Sequence, residues 1–358
     1  MEEVKEKKEY NWENLLFMGG YHLFLLITLP IYFYYYTPSL SIVLVAIALW
    51  VLCELAITAG YHRLFSHCSY KANPIVKFVA VFFGSMAFQG SVLKWSHDHR
   101  LHHAHVDTED DPYSITKGFM HAHVLWVIYK GKGVDLRIVS DLTKSKLLLF
   151  QHKHNGLCSL LSNLIVFLVV GHLLGDYLGA FIFTLWVRAF FVHHCTWFIN
   201  SLAHFKGTQF YSTEHTAVDN YIISLLTLGE GYHNFHHTFA HDYRNGIRWY
   251  HFDPTKWCIW LLSKVKLVTD LKQVDNLRIK KKLIECCKGK ILQKVQKEEN
   301  RNRVDTLTQK LLNNISMMQK EKDASIFSSI KAEFEENMKE WKSFLRSLKQ
   351  DEPMLFKS

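Results

Sequence analysis

Four apolar segments of membrane length constrain the fold of this chain more than any other feature. They are residues 15–36, 38–61, 155–175 and 177–203. The first and third carry no charged residue, and Glu54 and Arg188 are the only charges in the other two. A helix needs about 20 apolar residues to cross the hydrocarbon core of a bilayer. The sequence therefore predicts an all-α integral membrane protein with four transmembrane helices in two hairpins, in which Glu54 pairs with another helix and Arg188 is its candidate partner.

A fifth apolar stretch, from Phe78 to Leu93, is uncharged but short, and Lys77 and Lys94 flank it. A run of this length is more typical of an interfacial or re-entrant segment than of a spanning helix. We therefore expect an interfacial helix at about 75–93.

The distribution of basic residues predicts the orientation in the membrane. The chain has a net charge of +9, and twelve of its lysines and arginines lie between residues 62 and 154. The two short connections near 37–40 and 176–179 contain none. By the positive-inside rule, both termini and the long middle loop face the cytoplasm. Because the basic residues alternate with membrane-length segments, attraction to anionic lipid explains the charge more simply than nucleic-acid binding does.

The composition divides the chain into three parts. Residues 1–14 are charged and predict a cytosolic tail without a cleavable signal peptide. Residues 15–270 form the expected membrane domain. Residues 271–358 are rich in charge, and apolar residues recur in them at intervals of three or four, for example at Val304, Leu307 and Leu311. This spacing predicts amphipathic helices in a cytosolic C-terminal extension.

Histidines are concentrated in three short motifs among the 22 in the chain. "HRLFSH" contains His62 and His67, "HRLHH" contains His99, His102 and His103, and "HNFHH" contains His233, His236 and His237. Residues three and four apart share one face of a helix, so each of the last two motifs directs three rings to one side. His62 and His67 are five apart and would converge only if the helix ends or bends between them.

Clustered imidazoles beside a membrane are best explained by metal binding, which requires the neutral ring. Imidazole ligands suit Zn, Cu, Fe or Ni, and eight or nine of them are enough for two ions. A structural zinc site needs only four ligands, and the absence of a Cys-x-x-Cys pair from the sequence argues against a cysteine site. Two irons next to a bilayer would suit oxygen activation for chemistry on a hydrocarbon. All three motifs fall on the predicted cytosolic side, as one shared site requires.

Four longer motifs resemble the membrane fatty acyl desaturases of the stearoyl-CoA (delta-9) type. They are "GYHRLFSH", "DHRLHHAHVDTEDDPYS", "NSLAH" and "GEGYHNFHHTFAHDYRNGIRWYHFDPTKW", and the resemblance extends over about residues 12–270. It implies two iron ions held by nine histidines. These are His62, His67, His99, His102, His103, His204, His233, His236 and His237. It also implies that Asn200 contacts one metal through water.

The resemblance further implies an O2-dependent reaction that introduces a cis double bond, at delta-9, into a saturated acyl chain. Two electrons and two protons join O2 in each reaction. Acyl-CoA is the expected substrate, with acyl carrier protein and lipid-linked chains as alternatives. Because the sequence contains no His-Pro-Gly-Gly stretch, we expect a separate electron donor that is cytochrome b5-like or ferredoxin-like.

Expected contacts to the acyl tunnel or the head group are less specific than the metal ligands. They are Tyr61, Lys94, Trp95, His97, Lys130 and Trp197. Tyr61 precedes His62 and is expected to close the tunnel and limit chain length. Two other functions share some of these features: a related membrane di-iron hydroxylase, and a membrane protein that binds or transports metal. The transporter would place polar ligands along a path within the spans, whereas the motifs cluster on one side.

Overall fold

A computed structural model of the protein describes residues 9–351, most of them in helices. The helices are α1 (Trp12–Tyr35), α2 (Leu40–Ser66), α3 (Pro74–Met86), α4 (Val92–His105), α5 (Trp126–Ile128), α6 (Lys146–Lys153), α7 (Asn155–Leu174), α8 (Tyr177–His204), α9 (Tyr221–Leu226), α10 (His233–Thr238), α11 (Pro254–Lys264), α12 (Asn276–Lys294), α13 (Glu298–Lys320) and α14 (Ala324–Asp351). Two short strands, β1 (Lys71–Ala72) and β2 (Val268–Thr269), pair antiparallel. Residues 1–8 of the expected N-terminal tail lie outside the described residues.

Helices α1, α2, α7 and α8 are long and apolar enough to cross a membrane, which confirms the prediction of four membrane helices. Their outer faces carry large exposed apolar side chains, such as Leu16, Leu26 and Leu173. Side chains of this kind are stable against lipid and costly against water. The protein is therefore an integral membrane protein.

Short turns with specific end groups connect α1 to α2 and α7 to α8. Ser39 begins α2 by accepting a hydrogen bond from the backbone N–H of Ile42. Gly175 ends α7 in the left-handed conformation that favours glycine, with φ of +64°. Asp176 then accepts a bond of 2.7 Å from the N–H of Gly179 and begins α8. Only a few residues therefore link α1 to α2 and α7 to α8, whereas residues 67–154 separate α2 from α7.

The apolar stretch expected to form one helix at about 75–93 is divided into two. Asn73 accepts a bond from the N–H of Val76 and begins α3, which ends at Met86. Phe88 and Gly90 then have positive φ angles of +54° and +84°, and α4 starts at Val92. Because a left-handed residue cannot continue a right-handed helix, the chain turns here. Hydropathy alone does not reveal such a turn.

The expected pair between Glu54 and Arg188 is wrong. The Arg188 guanidinium donates instead to Asn163 Oδ1 at 2.5 Å, to the Met86 carbonyl at 2.9 Å and to Cys53 Sγ at 3.1 Å. Arg188 therefore ties α8 to α7, to α2 and to the end of α3 through neutral acceptors.

The described chain separates into two compact units. The first contains residues 9–208 together with 215–273, and the second contains 209–214 with 274–351. In the second unit, Leu307, Leu311 and Ile315 of α13 are buried with Phe334 and Trp341 of α14. These are residues of the three-and-four spacing, so the expected amphipathic helices form and cover each other's apolar faces.

Candidate metal centre

The first histidine motif lies at the end of α2, where the helix widens. From Ala56 to Ser66 the backbone forms a π-helix, and the N–H of His67 bonds to the carbonyl of His62, five residues earlier, at 3.1 Å. In a π-helix, residues five apart lie on the same face. The two imidazole centroids are therefore only 4.8 Å apart. From the sequence we expected the helix to end or bend between His62 and His67. The helix widens from Ala56 and ends at Ser66, directly before His67.

The second motif occupies the last turns of α4, which is joined to the end of α2 by Arg100. This side chain donates to the carbonyls of Phe65 at 2.9 Å and Ser66 at 3.0 Å. The last carbonyls of a helix have no partners within the helix, so Arg100 satisfies two of them. It also forms an ion pair with Asp141. The contact fixes the second motif beside the first.

The third motif is the short helix α10, and its start is fixed by Asp219. The carboxylate accepts hydrogen bonds from the N–H groups of Asn234 at 2.9 Å and Phe235 at 3.2 Å. Helix N-termini have unpaired N–H groups that a carboxylate satisfies well. The ninth histidine, His204, lies at the C-terminal end of α8 in a tight 3-10 turn.

The structure brings all nine expected histidines together in two groups, each with ligand nitrogens within 4.8 Å of one another. The five-histidine cluster contains His62, His67, His99, His103 and His236. The four-histidine cluster contains His102, His204, His233 and His237. The second and third motifs contribute to both clusters, so the two groups are adjacent.

The donor geometry fits metal ions. Nε2 atoms in the five-histidine cluster are 2.7 Å apart for His67 and His99 and 3.0 Å apart for His62 and His236. In the four-histidine cluster, His204 and His233 are 3.1 Å apart. Two nitrogens bound to one ion at about 2.1 Å and at a right angle would be about 3.0 Å apart. Without a bound ion, these nitrogen atoms would lie close together with too few protons to form hydrogen bonds with one another.

Burial also favours the neutral, ligand form of these rings. Outside the membrane helices, burial lowers the pKa of six of these rings well below the usual value for histidine, and repulsion between neighbouring imidazoles lowers the pKa further. The six are His67, His99, His103, His233, His236 and His237. A metal ligand must have an unprotonated nitrogen, so these residues are ready to bind without losing a proton.

Four of the rings are held in place through their other nitrogen, Nδ1. The Nδ1 of His62 lies 2.9 Å from Glu230, and that of His102 lies 2.9 Å from Asp111. That of His99 lies 3.1 Å from the Tyr113 hydroxyl. A partner of this kind fixes the proton on Nδ1 and turns Nε2 towards the ion.

His204 is held through a relay. Its Nδ1 lies 2.8 Å from the Thr216 hydroxyl, which donates to Asp107 at 2.6 Å. Since the hydroxyl has a single hydrogen, it donates to the carboxylate and accepts from His204. Asp107 also accepts from the Thr216 N–H at 2.7 Å, which fixes the threonine.

Glu230 belongs to a fully buried charge network. Its carboxylate accepts from the Arg63 guanidinium at 2.8 Å and from the Asn245 amide at 2.6 Å. Arg63 also pairs with Asp253 at 3.1 Å. Burial acts to raise the pKa of Glu230, but the positive charge of Arg63 and the hydrogen bonds from His62 and Arg63 outweigh it and hold the pKa at about 2. Glu230 is therefore a stable anionic acceptor for His62.

The sequence reasoning did not identify these supporting residues. Glu230, Asp111 and Asp107 lie within the motifs "GEGYH" and "HVDTEDDP", close to the histidines. Since histidine ligands commonly donate Nδ1–H to a carboxylate, the acidic residues nearest each motif were the available signal. Thr216 lies outside all of the histidine motifs and gave no signal.

A cavity of about 970 Å³ reaches both clusters. His62, His99 and His233 line it, and so does Asn200, one turn before His204. Of the expected substrate contacts, five also line it: Lys94, Trp95, His97, Lys130 and Trp197. Tyr61 does not. Its ring packs against Gly84, and its hydroxyl accepts a hydrogen bond from Gln151 at 3.2 Å.

The basic residues of this cavity already have acidic partners. Lys130 pairs with Glu9 at 2.7 Å, and Lys94 pairs with Asp98. The lysines are partly exposed, so these pairs are weak and can exchange for another anion. The sequence showed the cations but gave no means of seeing the carboxylates opposite them.

Comparisons with known proteins agree with this geometry. A sequence model of the family described as fatty acid desaturase matches residues 37–260. The probable acyl-CoA desaturase of Schizosaccharomyces pombe is 39% identical over 278 residues, which are 76% of this chain and 58% of that protein. Acyl-CoA desaturase 1 of Saccharomyces cerevisiae is 38% identical over 297 residues, 80% of this chain and 56% of that protein. The sn-1 stearoyl-lipid 9-desaturase of Anabaena variabilis is 32% identical over 278 residues, 75% of this chain and 97% of that protein. The chain spans little more than half the length of the first two relatives.

Proposed function

Because the chain belongs to the fatty acid desaturase family, we propose that it introduces a cis double bond, at delta-9, into a saturated acyl chain in an O2-dependent reaction. One observation carries the proposal. Two histidine clusters with converging Nε2 atoms meet a cavity whose walls include Phe17, Met18 and Ile57. A saturated methylene has no acidic proton, so a general base alone cannot remove its hydrogens, and the residues must hold a redox centre beside hydrocarbon.

The proposed ligands are the nine clustered histidines, and the proposed ions are two irons. When bound, they would supply the oxidation of two neighbouring methylenes by O2, with two electrons from a separate cytochrome b5-like or ferredoxin-like protein. Imidazole donors suit iron, although they do not distinguish it from other first-row metals. Asn200 lies on the cavity wall one turn before His204 and is proposed to hold a water at one ion.

The protein groups in this scheme position the reactants and exclude water. Glu230 and Asp111 keep the Nδ1 protons of His62 and His102 in place. The apolar walls fix which carbons lie beside the centre, and this fit sets the position of the double bond. Tyr61 would act on chain length indirectly, through Trp95, whose ring centre is 6.2 Å from its own.

The proposed substrate is an acyl-CoA whose head group meets Lys94, His97 and Lys130. Phosphates would compete with the carboxylates that now pair with the lysines, and Trp95 and Trp197 would contact the chain. The acyl carrier protein and lipid-linked forms are tested by offering purified protein each acyl donor separately. In the membrane, we propose two hairpins, α1 with α2 and α7 with α8, with α3 at the interface.

We propose that both termini and the metal centre face the cytoplasm. There, an acidic electron-donor protein would meet a basic surface. Residues 15–270 would be the catalytic membrane domain and 271–358 a cytosolic extension. The test of sidedness is the protection of single introduced cysteines from an impermeant thiol reagent. Labelling of the 62–154 loop from outside intact cells would contradict the orientation.

The activity is tested in cells that cannot make unsaturated fatty acids. The full chain should restore growth and produce acyl chains two mass units lighter than their precursors, one for each hydrogen lost. A hydroxylase would instead add one oxygen, and a metal transporter would change metal uptake without changing the lipids. A matched control is His172→Ala, which removes an exposed imidazole outside both clusters and should retain activity. His204→Ala should abolish it.

A further inference from the structure

A second cavity lies beside the reaction cavity, among the membrane helices. It measures about 520 Å³ and is bounded by α7, by the middle of α8 and by the turn between α3 and α4. We call it the side groove. Leu160 and Leu164 of α7 line it and are exposed on the outer surface of the helix. A groove open at this level of a membrane helix faces hydrocarbon rather than water.

Three aromatic rings lie where the side groove borders the reaction cavity. Phe17 and Phe88 line both cavities, and Trp186 lines the side groove. The ring centres of Phe17 and Phe88 are 5.2 Å apart, and those of Phe88 and Trp186 are 6.4 Å apart with nearly parallel planes. We call these three residues the aromatic gate. Because the two spaces share walls, movement of these rings would join them.

The backbone at the gate has an unusual conformation. Phe88 has φ of +54°, a conformation that is unfavourable for any residue with a side chain, and Gly90 has φ of +84°. Gln89 holds the turn in this form, since it accepts from Trp95 at 3.2 Å and donates to Thr196 at 2.8 Å. Both partners belong to the wall of the reaction cavity, so the Gln89 side chain links that wall to the turn that carries Phe88.

The third ring is held only by packing. Trp186 lies in the π-helical part of α8, from Ala180 to Val187, where the regular hydrogen-bond pattern is interrupted. Its indole N–H has no hydrogen-bond partner within residues 9–351. No polar contact in the described chain therefore opposes rotation of this ring.

We propose that the side groove binds an acyl chain from the bilayer and that the aromatic gate lets acyl chains pass sideways between the bilayer and the reaction cavity. The inference rests on the proposed function only for the identity of the chain that passes. The reaction cavity is also lined by charged residues, among them Glu9, Asp110 and Lys130. A hydrocarbon chain that left past these groups would meet charge and water, whereas the side groove offers an apolar route.

The test is photolabelling of the full-length protein in phosphatidylcholine vesicles. A small fraction of the phosphatidylcholine carries a diazirine in its acyl chain, and adducts are mapped by mass spectrometry. We expect adducts concentrated on the residues of the side groove and on Phe88. An excess of saturated acyl thioester should reduce the adducts on Phe17 and Phe88, because both rings also face the reaction cavity.

Two leucines of α7 give a matched pair of variants. Leu164 lines the groove and Leu161 does not, and both are leucines exposed to a similar extent. Leu164→Trp should reduce the groove adducts by about fivefold or more, since a bulky ring fills the space. Leu161→Trp should leave them unchanged. Leu164→Ala widens the groove and should increase the adducts, so the proposal is tested even if the tryptophan variant folds poorly.

An activity assay in the same vesicles distinguishes failure of this inference from failure of the proposed reaction. With saturated acyl-CoA, O2 and a reduced cytochrome b5-like or ferredoxin-like donor protein, Leu164→Trp should slow repeated turnover, and Leu161→Trp should not. Equal labelling of all lipid-facing helices, with no difference between the two tryptophan variants, would overturn the side groove as an acyl site. Wild-type protein that is labelled in the groove but forms no unsaturated product would support the acyl site and overturn the proposed reaction.

Discussion

The two histidine clusters share the second and third motifs but differ in how many rings they hold and in how those rings are supported. The five-histidine cluster takes two rings from the widened end of α2, and its His62 is supported by a buried network of full charges. The four-histidine cluster takes one ring from the end of α8 and is supported by Asp111 and by the relay through Thr216.

This difference indicates unequal coordination of the two proposed ions. Five imidazoles nearly complete the coordination of an ion, whereas four leave more room for water or another small ligand. Asn200 lines the cavity close to the four-histidine cluster, where it could hold such a water. The four-histidine cluster should therefore be the more open of the two and the more sensitive to loss of a ligand.

Removal of one ring from each cluster should have the largest effect and test this inequality directly. His204→Ala leaves three imidazoles and should lower the metal content by about one ion per chain, whereas His67→Ala leaves four and should retain more metal. Both should lower the rate of product formation by about 100-fold or more, since even residues that only support a ligand often cost 10- to 100-fold. Elemental analysis of purified protein and mass spectrometry of lipids measure the two effects.

His172→Ala is the control for both variants, because it removes a histidine that belongs to neither cluster. Equal loss of metal from His204→Ala and His67→Ala would mean that the two sites are occupied only together. That result would remove the distinction between a more open and a more complete site.

The supporting carboxylates should give the next largest effect. Asp111→Asn and Glu230→Gln each keep the size of the side chain but weaken the bond to Nδ1, so metal affinity should fall by about 10- to 100-fold. Glu230→Gln should also destabilise the fold, because Arg63 is fully buried and loses one of its two anionic partners. Competition with a chelator measures affinity, and thermal unfolding in detergent measures stability.

In this comparison, Asp111→Asn should change affinity with little change in the unfolding midpoint. A larger loss of stability for Asp111→Asn than for Glu230→Gln would contradict the assignment of the charged network to the five-histidine cluster. The partly exposed pair of Arg137 with Asp135 offers a control, since Asp135→Asn should change neither quantity.

Features with a regular local pattern were the ones predicted best from the sequence. Long apolar runs identify α1, α2, α7 and α8, because a helix in lipid needs only length and hydrophobicity. The spacing of His99, His102 and His103 identifies one face of one helix for the same reason. The three-and-four spacing from Val304 onward likewise identifies α13.

Features that depend on irregular backbone and on distant partners could not be predicted. The π-helix that aligns His62 with His67, and the left-handed Phe88 that divides α3 from α4, both break the periods on which prediction relies. The bonds from His62 to Glu230 and from His204 to Thr216 join residues that only the folded chain brings together. His204 itself was identified only by the resemblance to a known family.

Acidification of the metal-free protein should lower its stability through the histidines of both clusters. Burial lowers the pKa of His67, His99, His103 and His236 in the five-histidine cluster and of His233 and His237 in the other. Below about pH 6.5 the unfolded chain binds more protons than the folded chain, so the free energy of unfolding should fall by up to about 1.4 kcal/mol per pH unit for each such histidine. Above that pH these histidines contribute their full stabilisation, and this contribution is lost as the pH falls.

Thermal unfolding in detergent with chelator present, from about pH 8 to about pH 5, checks this sign. In both His67→Ala and His237→Ala, the free energy of unfolding should fall less steeply as the pH falls. The difference from wild type should equal the contribution of one histidine. A midpoint that rises as the pH falls would show that the imidazoles are protonated in the folded protein, and neutral metal ligands would then be excluded.

The smallest effect should come from the relay that supports His204. Thr216→Val keeps the shape of the side chain but removes the hydroxyl between His204 and Asp107, while Thr216→Ser keeps the hydroxyl. One hydrogen bond to a neutral ring contributes about 1 kcal/mol, so Thr216→Val should weaken metal binding at the four-histidine cluster by about fivefold. Thr216→Ser should restore most of that affinity. Because no bond joins Thr216 to a ring of the five-histidine cluster in the described residues, chelator titration should show that only one of the two ions becomes easier to remove. Equal weakening of both ions would mean that the clusters are coupled more strongly than their separate supports indicate.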